Sequence, residues 1–120
     1  MGLYELFAEG KSHLGAGEYL AAIPPLEQAR DLAPEQGSIR EALAMAYLRA
    51  RRYRDALPEA AAAVECAPND HYAYFLYGRA LEGVGDRVAA RGQYRLATWL
   101  LPGHDAYRKA LAAVETDLTG

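Results

Sequence analysis

The chain has 120 residues, 52% of them hydrophobic, and a formal net charge of −3. That is one domain, large enough to bury a core without disulfides or metals and too apolar for a disordered chain. The charge is too mild to imply a polyanion as partner of the whole chain, and no apolar run reaches the roughly 18 residues of a membrane span.

Residue usage narrows the setting. Basic residues are nearly all arginine, with only Lys11 and Lys109 as lysines, and alanine and glycine are abundant. Such codon-driven usage points to a GC-rich bacterial genome. No basic stretch followed by an apolar one opens the chain, so no signal peptide is read and a cytoplasmic location is expected. Cys66 is the only cysteine. It excludes an intramolecular disulfide and a thiolate metal site, and its expected role is a small buried hydrophobe.

Taken in chain order, residues 3–36 read as two helices. Apolar residues at helical spacing run to Leu14, Gly17 supplies a left-handed turn, and an alanine-rich helix follows to Pro34. Residues 37–70 repeat the plan with Arg51 in the glycine place, which hints at an altered turn. Arg49, Arg51, Arg52 and Arg54 crowd that turn, where Asp55 and Glu59 are expected to balance them in solvent. Residues 71–104 open on HYAYFLYGRAL, with Asp70 as N-cap, turn at Gly85 and stop at Pro102. A last helix, about 105–118, carries Tyr107, Leu111, Val114 and Leu118 on one stripe. Pro24, Pro25 and Pro58 are expected in the opening turns of their helices, where proline costs little.

A strict period underlies these elements. Pro34, Pro68 and Pro102 are spaced by 34 residues twice, and the same step carries Ala22 to Ala56 to Ala90 and Ala29 to Ala63 to Ala97. Three tandem units follow, 3–36, 37–70 and 71–104. Their residues resemble the tetratricopeptide repeat pattern W-x2-L-G-x2-Y, A-x3-F, P. The third unit fits best, with Tyr74, Tyr77, Gly78, Leu81, Ala90, Tyr94 and Pro102. The second unit has Arg40 in the first aromatic place, and the first unit carries Glu9 and His13 where side chains normally pack.

The resemblance implies an all-α fold of about seven helices. They form a right-handed superhelical solenoid of antiparallel helix pairs, with a concave face lined by the first helix of each unit. It also sorts the side chains. The third and tenth positions of each unit face the preceding unit. They read Glu5 and Ser12 in the first unit, then Ile39 and Ala46, Ala73 and Ala80, Tyr107 and Val114. Polar residues stand only where no unit precedes, so the chain reads as a complete solenoid closed by a capping helix. In the third unit Tyr74 and Tyr77 are implied to pack, whereas Tyr72, Phe75, Arg79 and Glu82 line the concave groove. The first unit matches with Tyr4, Phe7, Lys11 and Leu14. The second narrows the centre with Ser38, Glu41, Met45 and Leu48, and Arg49 adds a further cation.

Aromatic rings, arginine and methionine are the residues enriched in protein-binding patches. The expected function is therefore an adaptor that binds a protein or peptide segment with apolar anchors and acidic groups. A trough of roughly 30 Å holds about nine extended residues. The competing readings are self-coverage, with Arg79 lying over Phe75 and with Tyr4 and Phe7 buried against the next unit, and a homodimer using the same surface or a Leu3–Leu6 edge. A chaperone that shields an apolar client segment is the third. The clamp by which some family members grip a heat-shock chaperone tail is not expected. Its places hold Phe7, Lys11, Ala42, Phe75 and Arg79, of which only Arg79 fits.

Other chemistry is not read. His13, His71 and His104 lack metal spacing, and no phosphate loop or H-E-x-x-H occurs, so no enzyme and no cofactor are expected. His13 is read as a packed substitute for tyrosine, and His71 and His104 as exposed. The arginine turn has no interleaved aromatics, so nucleic acid is not an expected partner.

Overall fold

In the computed structural model, which describes residues 1–120, every element is helical. The helices are α1 (Leu3–Gly15), α2 (Tyr19–Leu32), α3 (Gly37–Arg49), α4 (Tyr53–Cys66), α5 (His71–Gly83), α6 (Arg87–Leu100) and α7 (Asp105–Thr119). They stack as antiparallel pairs into a right-handed superhelical solenoid, elongated at 49 × 25 × 22 Å. Each helix packs on its chain neighbours, and contacts that skip one element join α1 with α3, α3 with α5 and, through side chains, α5 with α7. No helix is long and apolar enough to cross a membrane.

The turn inside each pair explains the reversals. Gly17 and Gly85 have φ of 76° and 91°, and Arg51 has φ of 60° at the equivalent place. The hydrogen bonds match as well. Glu18 N–H donates to His13 O (2.8 Å), Arg52 N–H to Tyr47 O (2.8 Å) and Asp86 N–H to Leu81 O (2.9 Å). These are the long-range bonds of a Schellman end. The turn expected to be altered at Arg51 is therefore unaltered, and the arginine itself absorbs the left-handed strain. Arg51→Gly is expected to stabilise the fold by about 0.5–1 kcal/mol. It relieves about 1–2 kcal/mol of strain, less the entropy that glycine adds to the unfolded chain. A thermal melt reads it as a rise of a few degrees.

The prolines depart from expectation. Pro24 and Pro25 are the sixth and seventh residues of α2, and Pro58 is the sixth of α4, well inside their helices. A proline there removes the amide that would reach the carbonyl four residues back. Those carbonyls belong to Leu20, Ala21 and Arg54, all exposed residues, so water is at hand to replace the lost partner.

Small side chains let the helices close up. Ala22, Ala44, Ala56, Ala73, Ala80 and Ala90 are fully buried between helices, with Leu26, Ile39, Leu43, Tyr94, Tyr107 and Val114 filling the larger gaps. Glu5 and Ser12 are exposed, whereas Ile39, Ala46, Ala73, Ala80, Tyr107 and Val114 are buried. Leu6 is buried with Ala29, Ala33 and Ile39 while Leu3 packs beside them, so the Leu3–Leu6 edge is not an open apolar surface.

Cys66 is exposed rather than buried. It ends α4 in the same column as Leu32, which ends α2 and is also exposed. His71 and His104 are not free either. His71 Nδ1 lies 2.7 Å from the Tyr107 hydroxyl, and the His104 ring stacks on Tyr107 with centroids 3.8 Å apart. They help seat α7, because the starts of α5 and α7 lie side by side. His13 is half-buried and meets Glu18 at 3.1 Å across the first turn.

Candidate interaction groove

α1, α3 and α5 present one continuous face with two cavities. One of about 550 Å³ lies between α3 and α5 and is lined by Met45, Leu48, Arg49, Tyr53, Tyr72, Phe75, Leu76, Arg79, Glu82 and Gly83. The other, about 410 Å³, lies between α1 and α3 and is lined by Phe7, Lys11, Leu14, Gly15, Ser38, Glu41, Ala42, Met45 and Tyr72. Met45 and Tyr72 border both, so the cavities join into a trough. Among the residues expected on this face only Tyr4 lines neither cavity; it stands 83% exposed at the start of α1.

Asp70 sets the start of α5 by accepting the Tyr72 amide at 3.0 Å, and this fixes where Tyr72 and Phe75 point. The Tyr72 and Phe75 rings stack with centroids 6.3 Å apart. Phe75 also reaches the Tyr107 ring at 4.9 Å and Tyr94 at 5.9 Å, so it is half core and half trough wall. Tyr74 donates its hydroxyl to Pro68 O at 2.7 Å, and Tyr77 packs against the buried clusters on both sides of α5.

Each wall places a cation over a ring. Lys11 Nζ is 5.3 Å from the Phe7 centroid, and the Arg79 guanidinium is 5.0 Å from Phe75. Such contacts are worth about 0.5–1 kcal/mol at exposed sites and leave the cation open to an anion. Arg79 also approaches Glu82 at 3.7 Å. Glu82 is chiefly occupied by the Tyr94 hydroxyl at 2.6 Å, so it is a wall support and not a free carboxylate. Burial first and Glu82 second hold the Tyr94 hydroxyl above its ordinary range. Arg49, exposed at the end of α3, has no carboxylate partner and lies 6.0 Å from the Tyr19 ring.

At the centre, burial and then Asp70 push the Glu41 carboxyl up to about 8. Burial likewise raises the Tyr72 hydroxyl, with Arg49 acting against it. Asp70 was legible in the sequence only as a cap. Tyr53, which borders the α3–α5 cavity, carried no signal at all, because its place depends on how α4 closes against Gly83.

The arginine turn is resolved by its partners. Arg52 bonds Asp55 at 2.8 Å and lies over Tyr47, while Arg51 and Arg54 are exposed. Glu59 does not balance this turn in solvent. It is buried between Arg30 at 2.6 Å and Arg40 at 2.8 Å. No three His, Cys, Asp or Glu side chains converge anywhere in the molecule.

A family model described as tetratricopeptide repeat matches residues 7–71 and 41–105. No curated protein matches the chain. Among solved structures, the first TPR of Spaghetti (RPAP3) bound to the HSP90 peptide SRMEEVD superposes with a TM-score of 0.92. That pair is 21% identical over 98% of this chain and 94% of that one. MamA from Desulfovibrio magneticus RS-1 gives 0.93 at 24% identity, over 98% and 67%. The Sgt2 TPR domain from Aspergillus fumigatus gives 0.88 at 23%, over 98% and 79%. At these identities the likeness establishes the fold.

Proposed function

The chain belongs to the tetratricopeptide repeat family, and we propose that it is an adaptor that holds a segment of a partner protein in the trough. One observation carries this reading. Two walls of half-exposed rings, each topped by a cation, flank a trough with apolar flooring from Met45, Leu48 and Leu76. Lys11, Arg49 and Arg79 suit a segment whose apolar anchors are accompanied by carboxylates. The peptide-bound state of the Spaghetti (RPAP3) domain supports the same use of the fold.

Phe75 is a poor residue to delete, since its ring also seats Tyr107 and Tyr94. The charges test the site more cleanly. Arg49→Glu with Arg79→Glu changes only exposed side chains and is expected to weaken capture of a cellular partner about tenfold or more, as loss of interface arginines does. The measurement is affinity capture from native lysate, comparing wild type with a variant of equal helicity. Equal capture by both proteins would place the binding surface elsewhere.

A further inference from the structure

The three turns inside the helix pairs are alike in backbone and unlike in charge. The first and third place a glycine before an acid, Gly17 with Glu18 and Gly85 with Asp86, whereas the second has Arg51 and Arg52 in the same two places. Two residues further on, Arg54 stands where the other units carry the apolar Leu20 and Val88. Arg51 holds a φ of 60°, a left-handed backbone that glycine adopts freely and arginine only under strain. The fold does not require that side chain, since glycine makes the same turn twice. No acid of the chain uses it either. Arg52 bonds Asp55 at 2.8 Å, but Arg49, Arg51 and Arg54 are exposed and form no ion pair.

These arginines border one continuous depression. Arg51 and Arg54 line a cavity of about 360 Å³, in which the one acid, Asp55, is held by Arg52. Tyr53 and Gly83 line it too, and both also line the α3–α5 half of the trough, where Arg49 stands. The Tyr53 ring rests on bare Gly83, where an added Cβ would come within 2.3 Å of it, so ring and backbone together form the shared rim. A chain lying in the trough that crosses Tyr53 comes out among unpaired cations.

We propose that this arginine edge takes the acidic stretch of the segment whose apolar anchors lie in the trough, so that the partner carries carboxylates just beyond its anchors on the α3–α5 side. The link to those anchors rests on the adaptor reading; the affinity of the edge for acidic peptide does not. Guanidinium groups bind carboxylates through paired, parallel hydrogen bonds, and a strained residue kept at an exposed position is explained by binding and not by packing. A nucleic-acid strand fits less well, since it would find a single ring there, Tyr53, on a chain of net charge −3.

The test uses hexaglutamate as the probe, followed by proton–nitrogen NMR of the whole chain. It is expected to shift the amides of Arg51, Arg52, Tyr53, Arg54 and Gly83 first, with binding weakening as salt rises. Arg51→Gly should weaken hexaglutamate about threefold while raising the melting temperature, so that lost binding is not lost folding. Arg51→Gly with Arg54→Gln should weaken it about tenfold. Lys109→Gln, which removes an exposed cation of α7, should leave binding as it was. Absent shifts, shifts spread over the whole surface, an equal loss with Lys109→Gln, or unchanged affinity in the double variant overturns the proposal. So does a thymidylate hexamer that binds the same arginines more tightly than hexaglutamate. Failure here leaves the trough standing as the adaptor's site, and failure of the lysate capture leaves the arginine edge standing.

Discussion

Replacing Glu59 by alanine is expected to remove about 3–5 kcal/mol of stability, the usual loss when one partner of a buried ion pair is deleted. The Glu59 side chain is 4% exposed and accepts from Arg30 at 2.6 Å and from Arg40 at 2.8 Å. Arg40 also donates to Pro34 O at 2.9 Å. One carboxylate thus joins α2, the α2–α3 connection, α3 and α4. Without it two guanidinium groups, 24% and 19% exposed, are left facing each other in a poorly hydrated place. Burial, the largest single influence, lowers the proton affinity of Arg30, but the bonds and charges of Glu59 and Asp31 together more than offset it and hold the group above its ordinary range. Arg30→Ala should cost less, because Arg40 still neutralises the acid. Denaturant unfolding followed by circular dichroism reads both; a loss below about 1 kcal/mol for Glu59→Ala is the value for a solvated pair and contradicts the argument.

Adding one methyl group to Gly78 is expected to cost about 2–3 kcal/mol, the upper end of ordinary overpacking. A Cβ there would stand 2.4 Å and 2.5 Å from two ring carbons of Tyr94. That ring cannot step aside, since it is fully buried and its hydroxyl is tied to Glu82 at 2.6 Å. The backbone of α5 must move instead, and α5 carries Phe75 and Arg79. Gly78→Ala should therefore lower both the melting temperature and partner capture. Gly10, the equivalent residue of α1, meets the branched end of Leu26, which is more able to adjust. A melt of Gly78→Ala that matches wild type would mean the α5–α6 contact is looser than drawn.

The period of prolines and alanines made the helices, their pairing and the buried columns legible, because repeat contacts are local and recur at fixed spacing. Ile39, Ala73 and Tyr107 are interface residues that the repeat register alone assigns, and all three are buried. What escaped are features that depend on how far successive units rotate. Glu59 looked like a solvated companion of the nearby arginines, yet its partners come from α2 and α3. Asp70 looked like a cap and nothing more, although after burial it is what pushes the Glu41 carboxyl up. His71 and His104 looked exposed because a boundary residue has no neighbours in its own unit; the ring that covers them belongs to the next. The helical prolines contradict propensity outright, and the residues whose carbonyls they free, Leu20, Ala21 and Arg54, are all exposed.

The pattern of neighbours also decides where the molecule gives way. Since each helix leans on those beside it, the fold can open by fraying inward without a global transition. Within this chain α1 packs on α2 and α3, whereas α5 is packed by α3, α4 and α6 and its Phe75 ring also meets Tyr107 of α7. Amide hydrogen exchange is therefore expected to be faster along α1 than along α5, so the two sides of the α1–α3–α5 face differ in stiffness.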